Sequence, residues 1–182
     1  ALDELDEARA IEALSAALTT PFEISGAAHD PRRGLTLLRL ENNAESVAYR
    51  LDALTRRLAP FAAARRLDED EADALWRDLR DLRPFAGAQT SVWRVATAPS
   101  RAAQLVAALR AVAPIEALYD WGGGLVHLSA EGDDGAIATA LRGALDGAGH
   151  ARLLRGPGAT LAPPLDPAAA LKARLEDAFD PA

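Results

Sequence analysis

The chain has no cysteine and no methionine, a single lysine beside 19 arginines, and only 5% aromatic residues. Without cysteine there are no disulfides, no thiolate metal ligands and no cysteine nucleophile, although the compartment stays open. The chain opens ALDELDEARA with neither Met nor a charged-then-apolar leader, so residue 1 is expected to be an internal point of a longer protein. No apolar run approaches the roughly 18 residues of a membrane span. Twenty basic against 27 acidic residues leave a net charge of −7, which argues against nonspecific nucleic-acid binding. Alanine (43) and leucine (28) dominate the 182 residues, and apolar types reach 49%. That content excludes disorder and suffices for one domain or two small ones. The alanine and arginine bias reads as the mark of a GC-rich genome.

Apolar spacing of three and four from Leu2 to Leu18 predicts a helix over 2–18, ended by Thr19, Thr20 and Pro21. Residues 22–28 and 35–41 read as strands around a turn at 29–34. Asn42 or Asn43 caps a helix to about Leu58, and 62–67 is a short strand candidate. Asp68 opens a helix through Leu82, with Trp76 able to pack on either flank. Strands follow at 92–97, 115–121, 125–130 and 151–155, with helices from Pro99 to Val112 and over 136–145 between them. A Gly/Pro-rich stretch, 156–167, leads to a last helix over 168–179.

The order over 91–155 is β-α-β-β-α-β, the ferredoxin-like arrangement, and 2–67 repeats it without the opening strand. The expectation is an α+β fold: two tandem ferredoxin-like modules, an antiparallel sheet with helices packed on one face, the first module lacking its opening strand. The units are 1–85, 86–155, and a linker with a C-terminal helix, 156–182, together forming one cap domain of a longer protein.

Few segments carry chemistry. Gly122, Gly123 and Gly124 sit between two strands, where glycine permits positive φ and a close backbone approach to a ligand. Asp120 and His127 flank them, and a plain glycine-rich hairpin is the competing reading. The glycines lead into a strand, so they are no dinucleotide fingerprint. Arg94 alternates with Trp93 and Val95, which puts it on the opposite face from them, where a guanidinium can fork onto a carboxylate or form a surface salt bridge. Arg39 raises the same question. His29, His127 and His150 lack metal-ligand spacing, the acidic run 68–71 is no calcium loop, and no metal is expected.

Several phrases together resemble the FAD-linked subunit of bacterial glycolate oxidase. They are Leu38-Arg-Leu-Glu41, Ser46-Val-Ala-Tyr-Arg50, Leu75-Trp-Arg77, Val92-Trp-Arg-Val95, Tyr119-Asp-Trp-Gly-Gly-Gly124 and Phe179-Asp-Pro181. The resemblance spreads over nearly the whole chain. It implies the C-terminal cap of an FAD-dependent oxidase of the vanillyl-alcohol oxidase and D-lactate dehydrogenase type. Such a cap covers the flavin held by an N-terminal domain and shapes the site for a 2-hydroxy acid. Relatives carry His-x-Gly-Asp-Gly-Asn-x-His near the flavin. Here Asp120 stands at its first His, Gly122 and Gly124 keep two glycines and His127 keeps the last His, while Gly123 and Leu125 replace the Asp and Asn. The family continues past Phe-Asp-Pro into an Asn-Pro-Gly-Arg stretch, so both ends are expected to lie inside a longer protein.

The resemblance implies His127 as base, Arg94, Asp120 and Trp121 as substrate contacts, and Gly122–Gly124 as the approach to the flavin. FAD is expected in the full-length protein and none on this chain alone, which would be inactive. The expected partners are the N-terminal FAD domain, other glycolate oxidase subunits and a small 2-hydroxy acid. The expected location is cytoplasmic, peripheral to the inner membrane in a complex. The alternative is a non-catalytic ferredoxin-like interaction or small-ligand module. An RNA-binding module on this frame would need an aromatic-rich basic strand motif, which VWRVAT lacks.

Overall fold

A computed structural model describes residues 1–156 except Ala88. The predicted helix 168–179 and most of the Gly/Pro-rich stretch before it lie outside the described residues. The elements are β1 (Leu2–Asp3), α1 (Glu7–Leu18), β2 (Ile24–Asp30), β3 (Leu35–Leu40), α2 (Ala44–Leu58), α3 (Glu69–Arg80), β4 (Ser91–Thr97), α4 (Pro99–Arg110), β5 (Ile115–Asp120), β6 (Leu125–Ala130), α5 (Asp134–Leu145) and β7 (Gly149–Arg155). The fold is α+β, with one antiparallel sheet in the order β1-β3-β2-β5-β6-β4-β7.

The second half, β4-α4-β5-β6-α5-β7, has its strands in the ferredoxin-like order, with β4 between β6 and β7. The first half repeats it. Its opening strand is the two-residue β1, which pairs with Leu35 and Thr36 on one side and bridges Ala64 on the other. The helix predicted over 2–18 therefore begins only at Glu7. Glu4 turns with φ 60°, and the Asp6 carboxylate accepts from the Arg9 N–H at 2.8 Å, so the apolar periodicity runs through a strand, a turn and a cap before the helix. The strand candidate over 62–67 is realised only as the Ala64 bridge. The reversal between β2 and β3 is shorter than expected, because His29 and Asp30 belong to the strand.

Three of the other four helix starts follow a capping side chain, while α4 opens on Pro99 with no side-chain cap. Asn43, Asp68 and Asp133 each accept from a backbone N–H three residues on, at 2.8–2.9 Å. The halves meet edge to edge where His29 of β2 pairs with Tyr119 of β5. Their cores are continuous across that seam: Ile11, Leu14 and Ala27 pack in one cluster with Tyr119, Val126, Leu109 and Leu141. Leu2, Ala13, Leu54 and Leu58 form the core of the first half alone.

The sheet's second face is covered in part. α3 crosses it, with the Trp76 ring against Gly26, where a Cβ would lie 2.8 Å from the indole. Leu79 and Leu82 pack with Phe85, Val92 and Leu118. Arginines tie this layer down: Arg33 pairs with Asp78 at 2.9 Å, Arg32 donates to the Pro84 carbonyl at 2.9 Å, and Arg155 donates to the Phe85 carbonyl at 2.6 Å.

His29 is 0% exposed, with Nδ1 3.0 Å from the Thr36 hydroxyl and Nε2 without a partner. Burial lowers its pKa, while Glu7, Asp30 and Asp6 oppose that shift. A histidine buried neutral binds fewer protons folded than unfolded, so stability is full above the unfolded pKa of about 6.5 and falls as pH drops below it. Thermal unfolding between pH 7.5 and 5 should show that loss, and His29→Gln should flatten the slope. Gly26→Ala should cost about 1–3 kcal/mol by forcing the indole outward, measured by urea unfolding.

Candidate functional site

The part of the second face least covered by the described residues is around Arg94 and Ala96 of β4, His127 of β6 and Asp120 at the end of β5, all half-buried. Trp93 and Val95 turn into the helix-side core, so alternation places Arg94 on the open face, as its spacing predicted. Arg94 is the cross-strand partner of His127, and His127 is flanked on its other side by Leu118 of β5. Two residues beyond Leu118 on the same face stands Asp120. The structure thus brings Arg94, His127 and Asp120 onto one surface from three adjacent strands.

Trp121 completes the group. Its guanidinium neighbour, Arg94, sits 5.7 Å from the ring centroid, and the ring itself is 63% exposed. Its backbone holds φ 51°, a left-handed conformation uncommon for a bulky residue, and the Asp120 carboxylate accepts its N–H at 2.7 Å. Strain and an exposed indole are both unfavourable, so the turn that presents this ring is held by other contacts.

Those contacts come from the glycines. Gly122 and Gly123 have φ of 65° and 97° and are buried. A Cβ on Gly122 would strike the Leu18 side chain, and one on Gly123 would lie 2.6 Å from Ile11 Cδ1. The close approach these glycines permit is to α1. Gly124, with φ −68°, leads into β6.

A cleft of about 760 Å³ opens between Asp120, Trp121, Leu125 and His127 on one side and Trp76, Arg77 and Arg80 of α3 on the other; Arg94, beside His127, is not among its lining residues. The α3 wall is not legible in the sequence as part of a site. Its one sequence signal is Gly26, whose missing side chain admits Trp76. Arg39 also lines the cleft, 5.2 Å from the Trp76 ring centroid and paired with Glu41. The other histidines are elsewhere: His29 is in the seam on the helix side, and His150 lies on β7 opposite Ala96. Among the described residues no group of three potential metal ligands comes together.

Burial lowers the His127 pKa, Arg94 lowers it further, and Asp120 acts in the opposite sense. His127 is therefore neutral at pH 7 and can accept a proton, while Arg94 beside it offers a fixed cationic fork. Asp120→Asn should lower the His127 pKa and Arg94→Gln should raise it, as read from the imidazole NMR titration. Gly123→Ala should destabilise by about 2–4 kcal/mol through φ strain and overlap with Ile11. Comparison of the chain with protein-family models, curated proteins and solved structures gives no match in any of the three.

Proposed function

We propose that the chain is the substrate-side domain of an FAD-dependent 2-hydroxy-acid oxidase or dehydrogenase, glycolate being the reference substrate. One observation carries the reading: the His127 imidazole and the Arg94 guanidinium are cross-strand partners on the second sheet face, beside an exposed indole. A 2-hydroxy acid needs its carboxylate held and its hydroxyl proton accepted, and this pair supplies both functions. Arg94 takes the carboxylate in a two-bonded fork. His127 accepts the hydroxyl proton, and Asp120 stabilises the imidazolium that results. Trp121 forms an apolar wall that excludes water.

Among the described residues the glycine run and four of the five helix N-termini are not arranged to hold FAD; α4 starts at Pro99 without a side-chain cap. Gly122 and Gly123 are used against α1, and the N-termini of α1, α2, α3 and α5 are closed by Asp or Asn side chains, three of them carboxylates. In this proposal the flavin belongs to another domain of the protein, with the redox chemistry that goes with it. Other oxidase subunits and attachment of such a complex at the inner membrane belong to the same proposal. No helix among the described residues is long and apolar enough to cross a membrane.

The test is purification of the full-length protein and anaerobic addition of glycolate. Bound flavin that bleaches supports the reading. Arg94→Ala should raise KM by about 10- to 100-fold, the value of a charge-assisted contact. His127→Gln should lower kcat by about 100-fold or more. Full-length protein that carries no flavin and cannot be reconstituted would sink the proposal. If such protein still bound 2-hydroxy acids through Arg94, a non-catalytic small-ligand module would replace it.

A further inference from the structure

The open face of the sheet carries a second arginine beside the first. Directly opposite Arg94, on β7, stands Arg152. Cross-strand partners share a face, so one row runs from His127 on β6 through Arg94 to Arg152. Residues directly opposite in an antiparallel pair hold their Cβ atoms about 4.5–5.5 Å apart, and like charges placed so are destabilising. Arg94 is half-buried against the sheet, while Arg152 is exposed and can reach outward.

Nothing among the described residues relieves that repulsion. Neither arginine has a hydrogen bond or an ion pair there; Arg94 rests against the Trp121 ring. Their neighbours on this face are Leu125 and Ser129 on β6, Val92 and Ala96 on β4, and His150 on β7, none of them acidic. Arg155, opposite Val92, adds a third cation and donates to the Phe85 carbonyl. Asp120 is three strands away from Arg152, about 14 Å along the sheet, beyond the roughly 8 Å over which exposed charges act at physiological salt. Elsewhere the arginines do find carboxylates: Arg33 pairs with Asp78, Arg65 with Asp3 and Glu71, and Arg110 with Glu7. With a net charge of −7 the chain is not short of acidic residues. Two adjoining guanidiniums without one cost the fold stability, and an anion that meets both offsets that cost.

We propose that Arg94 and Arg152 form a two-guanidinium site, so that the acid bound on this face carries a second carboxylate. The substrate class is then a 2-hydroxy dicarboxylic acid. Arg94 forks onto the carboxylate beside the reacting carbon, whose hydroxyl lies toward His127, and Arg152 forks onto the second carboxylate. Two forks on separate flexible stems suit two carboxylates joined by a short carbon chain. Inorganic phosphate, a single compact anion, is the competing ligand. The inference deepens the functional reading above and rests on it for the role of Arg94.

The test is NMR titration of the isotope-labelled chain at constant ionic strength, following the Nε–H signals of Arg94 and Arg152. Tartronate, which is glycolate with a second carboxylate, and malate should shift both signals. Each should bind about 10- to 100-fold more tightly than glycolate, the value of one added charge-assisted contact. Arg152→Gln should bring both down to the affinity of glycolate. The same variant should not lower Tm at low salt, because it removes a like-charge pair. Equal affinity for the three acids, or a preference that survives Arg152→Gln, overturns the second carboxylate and leaves the hydroxy-acid reading standing. A lowered Tm in Arg152→Gln overturns the site by making Arg152 scaffold. Tighter binding of inorganic phosphate than of either dicarboxylate overturns it in favour of a phosphate site. No shift of the Arg94 signal with any of the acids removes both this inference and the role given to Arg94 above.

Discussion

The structure depends on the seam between its two halves. Each half alone is a small sheet with two or three helices, a size at which little apolar surface is buried per residue. Joining them edge to edge removes two sheet edges and merges the helix layers. The backbone contribution is slight, since the regular ladder at the seam is the single pair His29↔Tyr119. Side chains do most of the joining. Ile11 and Leu14 of α1 enter the core of the second half, and Glu7 of α1 forms a bidentate pair with Arg110 of α4. Non-directional burial thus supplies the cohesion, and one charged pair fixes the register of the two helices.

The same seam builds the candidate site. Tyr119 is fully buried, and the next residue on its strand, Asp120, emerges on the open face. The turn that follows is seated on α1, a helix of the other half, through Gly122 and Gly123. α3 then crosses the seam on the opposite side, with Trp76 on β2 and Leu79 toward β5 and β4. A site carried on strands of the second half is therefore held in shape by helices of the first.

The elements with strong periodicity are legible in the sequence, and so is the repeat. Val92–Thr97 alternates cleanly, which is why strand alternation alone assigns the face of Arg94. Local pattern fails where tertiary context decides. Leu2 and Leu5 fit a helical stripe, yet Leu2 pairs with Thr36, a residue far along the chain. The glycine run shows that a close approach is needed but not to what; the neighbours are Leu18 and Ile11. The α3 wall of the cleft is hidden for a related reason, because an amphipathic helix does not declare which face of a sheet it covers.

The arginine-rich composition, whatever its genomic origin, has structural consequences. A guanidinium carries five donors in a rigid fork, suited to tying several carbonyls at once. Buried Arg50 donates to the carbonyls of Phe22, Glu41 and Ser46, gathering the approach to β2, the exit from β3 and α2. Arg101 closes the C-terminus of α5 through the carbonyls of Ala144 and Leu145, where a cation also suits the helix dipole. Against that pattern Arg94 stands apart. It is half-buried on the sheet, and among the described residues its contact is the Trp121 ring rather than a carboxylate or a carbonyl. A partly desolvated guanidinium with no hydrogen-bond partner among the described residues is costly as scaffold, whereas the buried Arg50 and half-buried Arg101 each donate to backbone carbonyls. Its donors are free to meet an anion on the open face. That difference from the structural arginines, next to His127, is what supports the proposed carboxylate site.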